Sequence, residues 1–143
     1  MFAPGWLEMR GLVPGYTIKN LKADVPDFAV EHGMSPDIEA RFARDQIESE
    51  QLGVSYFRYA PGFRGPFGHR HQEKEEAYVV IGGSGRIKLD EEVAELRQWD
   101  VIRVAPEVVR AIEGGPEGIE LIAVGGPRPD EGDVEMLPGW WTV

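Results

Sequence analysis

At 143 residues, with 42% hydrophobic and 28% charged residues, the chain is long enough for one domain that buries about two-thirds of its unfolded surface. Its formal charge of −10 excludes a reader of phosphate backbones, which needs a basic surface. The absence of cysteine excludes disulfides, thiol catalysis and zinc–thiolate sites. Eighteen glycines and eleven prolines are spread between short apolar runs, as turns between strands would be. No run approaches the ~20 apolar residues of a membrane helix, and the first residues carry no basic leader. A cytoplasmic protein without a membrane partner is expected.

Residues 1–15 hold Pro4-Gly5 and Pro14-Gly15 and read as an N-terminal extension, with Trp6, Leu7 and Leu12 as its anchors on the domain or on a partner subunit. Tyr16 to Lys19 is a short β-prone piece, and 20–35 is polar loop. Ile38 to Phe42 fits a capped helix or a strand. The strand reading agrees with the remainder of the chain, a series of short β-rich runs separated by turn signals. These runs are Val54 to Ala60, Phe67 to His71, Glu76 to Ile81, Arg86 to Leu89, Val93 to Leu96, Val101 to Val104, Val108 to Glu113 and Ile119 to Val124. Gly82 to Gly85 and Gly114-Gly115-Pro116 are expected to be turns between them. The barrel domain is therefore placed at 16–126. In the tail, 127–143, Trp140 and Trp141 are expected to pack on the barrel or on a partner.

The densest chemical signal lies in residues 66–85. His69 and His71 are two apart, so a strand projects both imidazoles to one face and Arg70 to the other. A turn over Gln72 to Glu75 brings Glu76, at the start of the next strand, back towards them. Two imidazoles and one carboxylate suit a divalent transition metal. With Glu76 facing the pocket, Tyr78 and Val80 face it too, and Tyr78 becomes a candidate proton donor or substrate contact. Glu75 is the alternative third ligand. Arg70, Glu73 and Lys74 are expected to form a solvated face.

This stretch resembles the first motif of the cupin family: Gly, a short spacer, His-x-His, three or four residues, Glu, six residues, Gly. Four residues separate His71 from Glu76, and six separate Glu76 from Gly83. At the front, Gly62 lies one residue too far upstream and Gly65 is too close. The resemblance covers about Val54 to Gly125. It implies an all-β, antiparallel double-sheet jelly roll with the site in the barrel mouth, and commonly a homodimer.

The region Trp99 to Gly114 matches the second cupin motif only in outline. Trp99-Asp100 stands where Gly-Asp is usual. Ala105 takes the proline slot, with Pro106 one residue late; Glu107 takes that of the glycine, and Gly114 that of the asparagine. Arg110 occupies the place of the fourth ligand, a histidine. Arginine stays protonated and offers no lone pair, so His69, His71 and Glu76 remain as the candidate ligands, with His32 in an unrelated loop. Such a set can hold iron, zinc, nickel or manganese.

Arg110 has three readings: an ion pair with Glu76 and no metal, an anchor for an anionic substrate, or an outward-facing side chain. Two functions fit this residue set. One is a metal-dependent enzyme, an oxygenase or isomerase acting on a small anionic metabolite held by Arg110 and Tyr78. The other is a non-catalytic cupin that binds or senses a small molecule, with an incomplete or absent metal site. The fold by itself does not choose between them.

Overall fold

A computed structural model describes residues 15–127 and 133–141; the expected anchors Trp6, Leu7 and Leu12 lie outside the described residues. Among the described residues one short helix, α1 (Phe28–Glu31), precedes eight strands: β1 (Ile38–Phe42), β2 (Gly53–Tyr59), β3 (Phe67–His71), β4 (Glu76–Leu89), β5 (Glu92–Arg97), β6 (Val101–Val104), β7 (Arg110–Gly125) and β8 (Val134–Pro138). All pairings are antiparallel. The expected all-β jelly roll is realised as one continuous sheet that curls on itself.

The spine is the pair β4–β7, which runs from Glu76 opposite Gly125 to Leu89 opposite Arg110. On the far edge of β7 sit β2, then β1, and also β3, then β8; on the far edge of β4 sit β5 and β6. Two expected turns are instead bulges within these long strands. Gly83 pairs with Ile119 and Gly85 with Gly114, so residues 115–118 loop out opposite Ser84 while both strands continue. Gly83 has φ +67, and a Cβ there would lie 2.1 Å from the Gly118 carbonyl oxygen. Glycine gives the same sequence signal for a reversal and for a sharp bend between close strands, which is why these positions read as turns.

The remaining differences are local. Tyr16 to Lys19 has no regular structure, and a single turn of helix interrupts the expected loop, capped by Asp27, whose side chain accepts from the Ala29 amide. Beyond Pro127 the chain pairs again: β8 lies along β3, with His69 opposite Met136 and His71 opposite Val134. Trp141 is buried, with the guanidinium of Arg64 4.6 Å from its ring centroid, and Lys88 lies over Trp140.

The main core fills the fold of the β4–β7 ribbon with Val80, Ile87, Leu96, Val104, Ile112, Ile119 and Leu121. A smaller cluster of Ala29, Ile38 and Ala40 seats α1 on β1. Alternation along β4 puts Tyr78 and Val80 inside and sends Ala77 and Val79 towards the other face, and the register shifts at Gly82–Gly85 change the phase so that Gly85 and Ile87 are the inner residues beyond them. Among the described residues no helix is long and apolar enough to cross a membrane.

Candidate metal centre

Three strand ends meet at one point of the inner surface. His69 and His71 lie on the same face of β3, Glu76 opens β4, and Arg110 opens β7 directly opposite His69. The turn between β3 and β4 is held by Asp133, whose Oδ1 accepts from the Gln72 and Glu73 amides at 3.2 and 2.9 Å. That turn returns the chain so that Glu76 Oε1 stands 3.3 Å from His69 Nε2 and 3.1 Å from His71 Nε2. One ligand atom from each of the three residues lies within 4.8 Å of the others. Tyr78, two residues on, donates its hydroxyl to the same Oε1 at 2.8 Å.

Several sequence readings separate here. Glu75 is exposed and pairs with Arg103 at 2.9 Å, away from the imidazoles, as alternation along the strand dictates. His32 stacks on Phe28 and lies in the α1 region, outside the cluster. Lys74 is not part of a solvated face: it lines the cavity and its Nζ is 3.8 Å from Glu76 Oε2. Arg110 does not point outward, since only 1% of its surface is exposed.

Burial raises the Glu76 carboxyl, but the polar contacts with the His69 and His71 imidazoles outweigh it and hold the group well below the usual carboxylate range. Burial lowers His69 more than Glu76 raises it, so its imidazole favours the neutral, ligating form. The Tyr78 hydroxyl is pushed well up by burial and by the neighbouring Glu76 charge, which keeps it a proton-bearing donor.

His71 also has a partner behind it. Its Nδ1 lies 2.9 Å from Asp133 Oδ2, an acceptor. The Nδ1–H therefore donates to Asp133, and Nε2 is left to face Glu76 Oε1. A nitrogen lone pair and a carboxylate oxygen facing each other at 3.1 Å need a cation between or beside them, either a proton or a metal. Ligands at about 2.1 Å from a metal stand roughly 3.0 Å apart in an octahedral shell and 3.4 Å apart in a tetrahedral one. The observed 3.1 and 3.3 Å lie between those limits, and with all three ligand atoms within 4.8 Å of one another the chemistry of the donor set fits a divalent metal. A carboxylate orienting a ligating histidine from its other nitrogen is the usual supporting arrangement.

Arg110 is bound on one side only. Nη2 donates to the Ala105 carbonyl at 2.9 Å, and Nη1 stands 3.9 Å from Glu76 Oε1, too far to donate to it. Neither Nε nor Nη1 has a hydrogen-bond partner among the described residues, although both are buried. The group borders a cavity of about 530 Å³ that also reaches His69, His71, Glu76 and Tyr78.

No family model matches the chain. An uncharacterized protein of Methanocaldococcus jannaschii is 30% identical over 70 residues, 48% of this chain and just over half, 56%, of that relative. A crystal structure of a cupin protein from Bacteroides fragilis superposes with a TM-score of 0.66 at 23% identity, over 82% of this chain and 89% of that one. A variant of oxalate decarboxylase from Bacillus subtilis superposes with a TM-score of 0.70 at 21% identity, over 89% of this chain and 33% of that one.

Proposed function

The chain has the cupin fold, and on that footing we propose that it holds a divalent transition metal on His69, His71 and Glu76 and binds a small anionic molecule between that metal and Arg110. One observation carries this reading: a guanidinium almost wholly removed from solvent, with two N–H groups unpartnered among the described residues, beside a cluster suited to a dication. A guanidinium and a dication repel each other unless an anion lies between them. A carboxylate in that position accepts a charge-assisted hydrogen bond from Nη1, the unpartnered nitrogen 3.9 Å from Glu76 Oε1.

The reaction class that fits is that of a metal-dependent oxygenase or isomerase. A bound metal supplies Lewis acidity, or a place where dioxygen is activated, at such a centre. The chain's own residues do the rest. Arg110 fixes the anion's orientation, the Tyr78 hydroxyl holds a proton 2.8 Å from Glu76, and the surrounding apolar wall limits water. We place the protein in the cytoplasm as a homodimer.

A second reading has its own support. Glu76 Oε1 already receives both imidazoles and the Tyr78 hydroxyl, with Arg110 at 3.9 Å, so a proton-bridged cluster without metal is self-consistent. In that state the chain is a non-catalytic module that senses a small acid through Arg110.

Metal analysis of protein purified without an affinity tag, alongside His71→Ala, separates the two. The metal reading expects about one metal per chain and a loss of at least 100-fold in affinity in the variant, in line with removal of one of three ligands. Metal-free protein whose variant binds added zinc or iron(II) as well as the parent does would leave only the sensing module.

A further inference from the structure

The cavity is much larger than an acid group needs, and most of its wall away from the metal centre is apolar. At about 530 Å³ it falls in the range of pockets that enclose a drug-sized ligand, roughly 300–1,000 Å³. Its charged groups, Lys74, Glu76, Arg110 and Asp133, gather with the two imidazoles at the metal centre. Away from them the lining is mostly apolar, with Ser55 and Tyr59 as its hydroxyl-bearing residues: Phe28, Phe42 and Phe57 form a chain of edge-to-face rings at 5.5 and 5.6 Å, and Phe67 and Met136 contribute from β3 and β8.

The topology explains how these residues meet. β1 and β8 are the two ends of the strand path β1-β2-β7-β3-β8, yet Phe42 on β1 and Met136 on β8 line the same cavity. The curl of the sheet therefore brings its two margins to flank one opening. Phe28, Phe42, Phe67 and Met136 are between 39% and 52% exposed there. Single exposed apolar residues are ordinary on a protein surface; four around one cavity that ends in a buried cation are a lined entrance.

We propose that the ligand of this site is an amphipathic monoacid, with its carboxylate on Arg110 and the metal and an aliphatic or aromatic body along Phe28, Phe42, Phe57, Phe67 and Met136. This rests on the metal–Arg110 reading and adds the body to the head. A compact polyanion or a polyhydroxylated acid would leave its outer polar groups against the apolar wall without hydrogen-bond partners, which costs affinity. An apolar body gains from the same wall, and aromatic rings accept it edge-on or stacked.

The test uses calorimetric titration of the metal-loaded full chain with acetate, butanoate, hexanoate and octanoate, with 4-phenylbutanoate, with octanamide, and with succinate and malate. Burying each further methylene is expected to tighten binding about fourfold. Octanamide, which keeps the body and loses the charge, should bind at least about tenfold more weakly than octanoate. In a Phe28→Ser/Met136→Ser double variant, whose changes fall on half-exposed positions, the gain per methylene should drop by about half or more while acetate binding is kept.

Affinity that does not rise with chain length, with succinate or malate binding at least as well as octanoate, would overturn the amphipathic ligand and leave the anion site standing. Metal-loaded protein that binds no carboxylate in the series would overturn both. A slope unchanged in the double variant would remove the entrance from the proposal and overturn it as stated.

Discussion

Two acids of the sheet, Glu39 and Glu76, sit largely buried among basic side chains, and they are finished differently. Glu39 on β1 is met by three: Lys22 at 2.9 Å, Arg41 at 2.7 Å and Arg58 at 3.3 Å. Each arginine also ties down backbone: Arg41 Nη1 donates to the Lys22 and Val25 carbonyls, and Arg58 Nη2 to that of Pro36. Around Glu76 the donors crowd one oxygen, and Arg110 keeps two buried N–H groups without partners among the described residues. The first cluster is closed, and its charges tie the segment before α1 to β1 and β2. The second is left open towards a cavity. Since a buried polar group without a partner costs about 1–3 kcal/mol, more for a charged one, such openness is retained where something from outside completes it.

The sharpest way to break this comparison is to make the same substitution in both places. Arg110→Met keeps most of the side-chain volume and removes the unpartnered N–H groups, so its unfolding free energy should change by less than about 1 kcal/mol. Its affinity for a carboxylate probe such as octanoate should fall about 100-fold, equivalent to ~2.7 kcal/mol. Arg41→Met should do the opposite: it loses about 2–3 kcal/mol of stability, because Glu39 and two carbonyls lose a donor, and leaves carboxylate affinity unchanged. Urea unfolding and calorimetry on the two variants read both outcomes. An Arg110→Met protein as destabilised as Arg41→Met would make the second cluster structural too.

The closed cluster also has its own pH signature. Burial raises the Glu39 carboxyl, but hydrogen bonds from Lys22, Arg41 and Arg58 outweigh it and bring the folded-state value down from 4.5 to about 2. A folded-state pKa below the unfolded one means that the stabilisation is whole above about pH 4.5 and is lost as the pH falls towards 2. Glu39→Gln should therefore cost roughly 2 kcal/mol at pH 7 and nearly nothing at pH 2. Unfolding midpoints of parent and variant measured side by side from pH 7 to pH 2 should converge through that window. Curves that stay parallel would mean that Glu39 gains nothing from its three cations.

The fold class and the centre of the site are legible in sequence for a simple reason: both rest on period-2 geometry over short distances. His69 and His71 share a face because they are two apart on a strand, Glu76 and Tyr78 share another for the same reason, and a four-residue turn joins the strands. Sequence leaves the direction of Arg110 open, inward in two of its three readings and outward in the third, because it depends on pairing with β3, more than thirty residues upstream. The bulges at Gly82–Gly85 and Gly114–Gly118 read as turns because glycine marks both. Charge alone sends Lys74 to solvent, whereas the turn that delivers Glu76 folds its stem into the cavity. Trp99 stands in a glycine slot of the family motif and indeed has φ +75, a backbone state that sequence shows only through the resemblance.

Asp133 is not legible in sequence at all, and it is where the last and smallest effect is expected. It lies 62 residues from His71, ahead of β8, and the one local hint is the alternation of Val134 and Met136 after it. Its two oxygens have separate tasks: Oδ1 holds the β3–β4 turn and Oδ2 takes the His71 Nδ1–H. Burial raises its carboxyl, but the hydrogen bonds from the Glu73 amide and from His71 outweigh this and keep it low, so it stays an anion. Asp133→Asn keeps an oxygen for the turn amides and replaces the anion behind His71 with a neutral amide. The turn should then hold, with the thermal midpoint of the metal-free protein unchanged, while zinc affinity falls about tenfold, the lower end for loss of a group that supports a metal-binding histidine. Asp133→Ala, which releases the turn as well, should lower both. If Asp133→Asn lowers the thermal midpoint and leaves zinc affinity untouched, Asp133 belongs with the closed cluster of Glu39, as a clasp for the chain and not as a support for the metal.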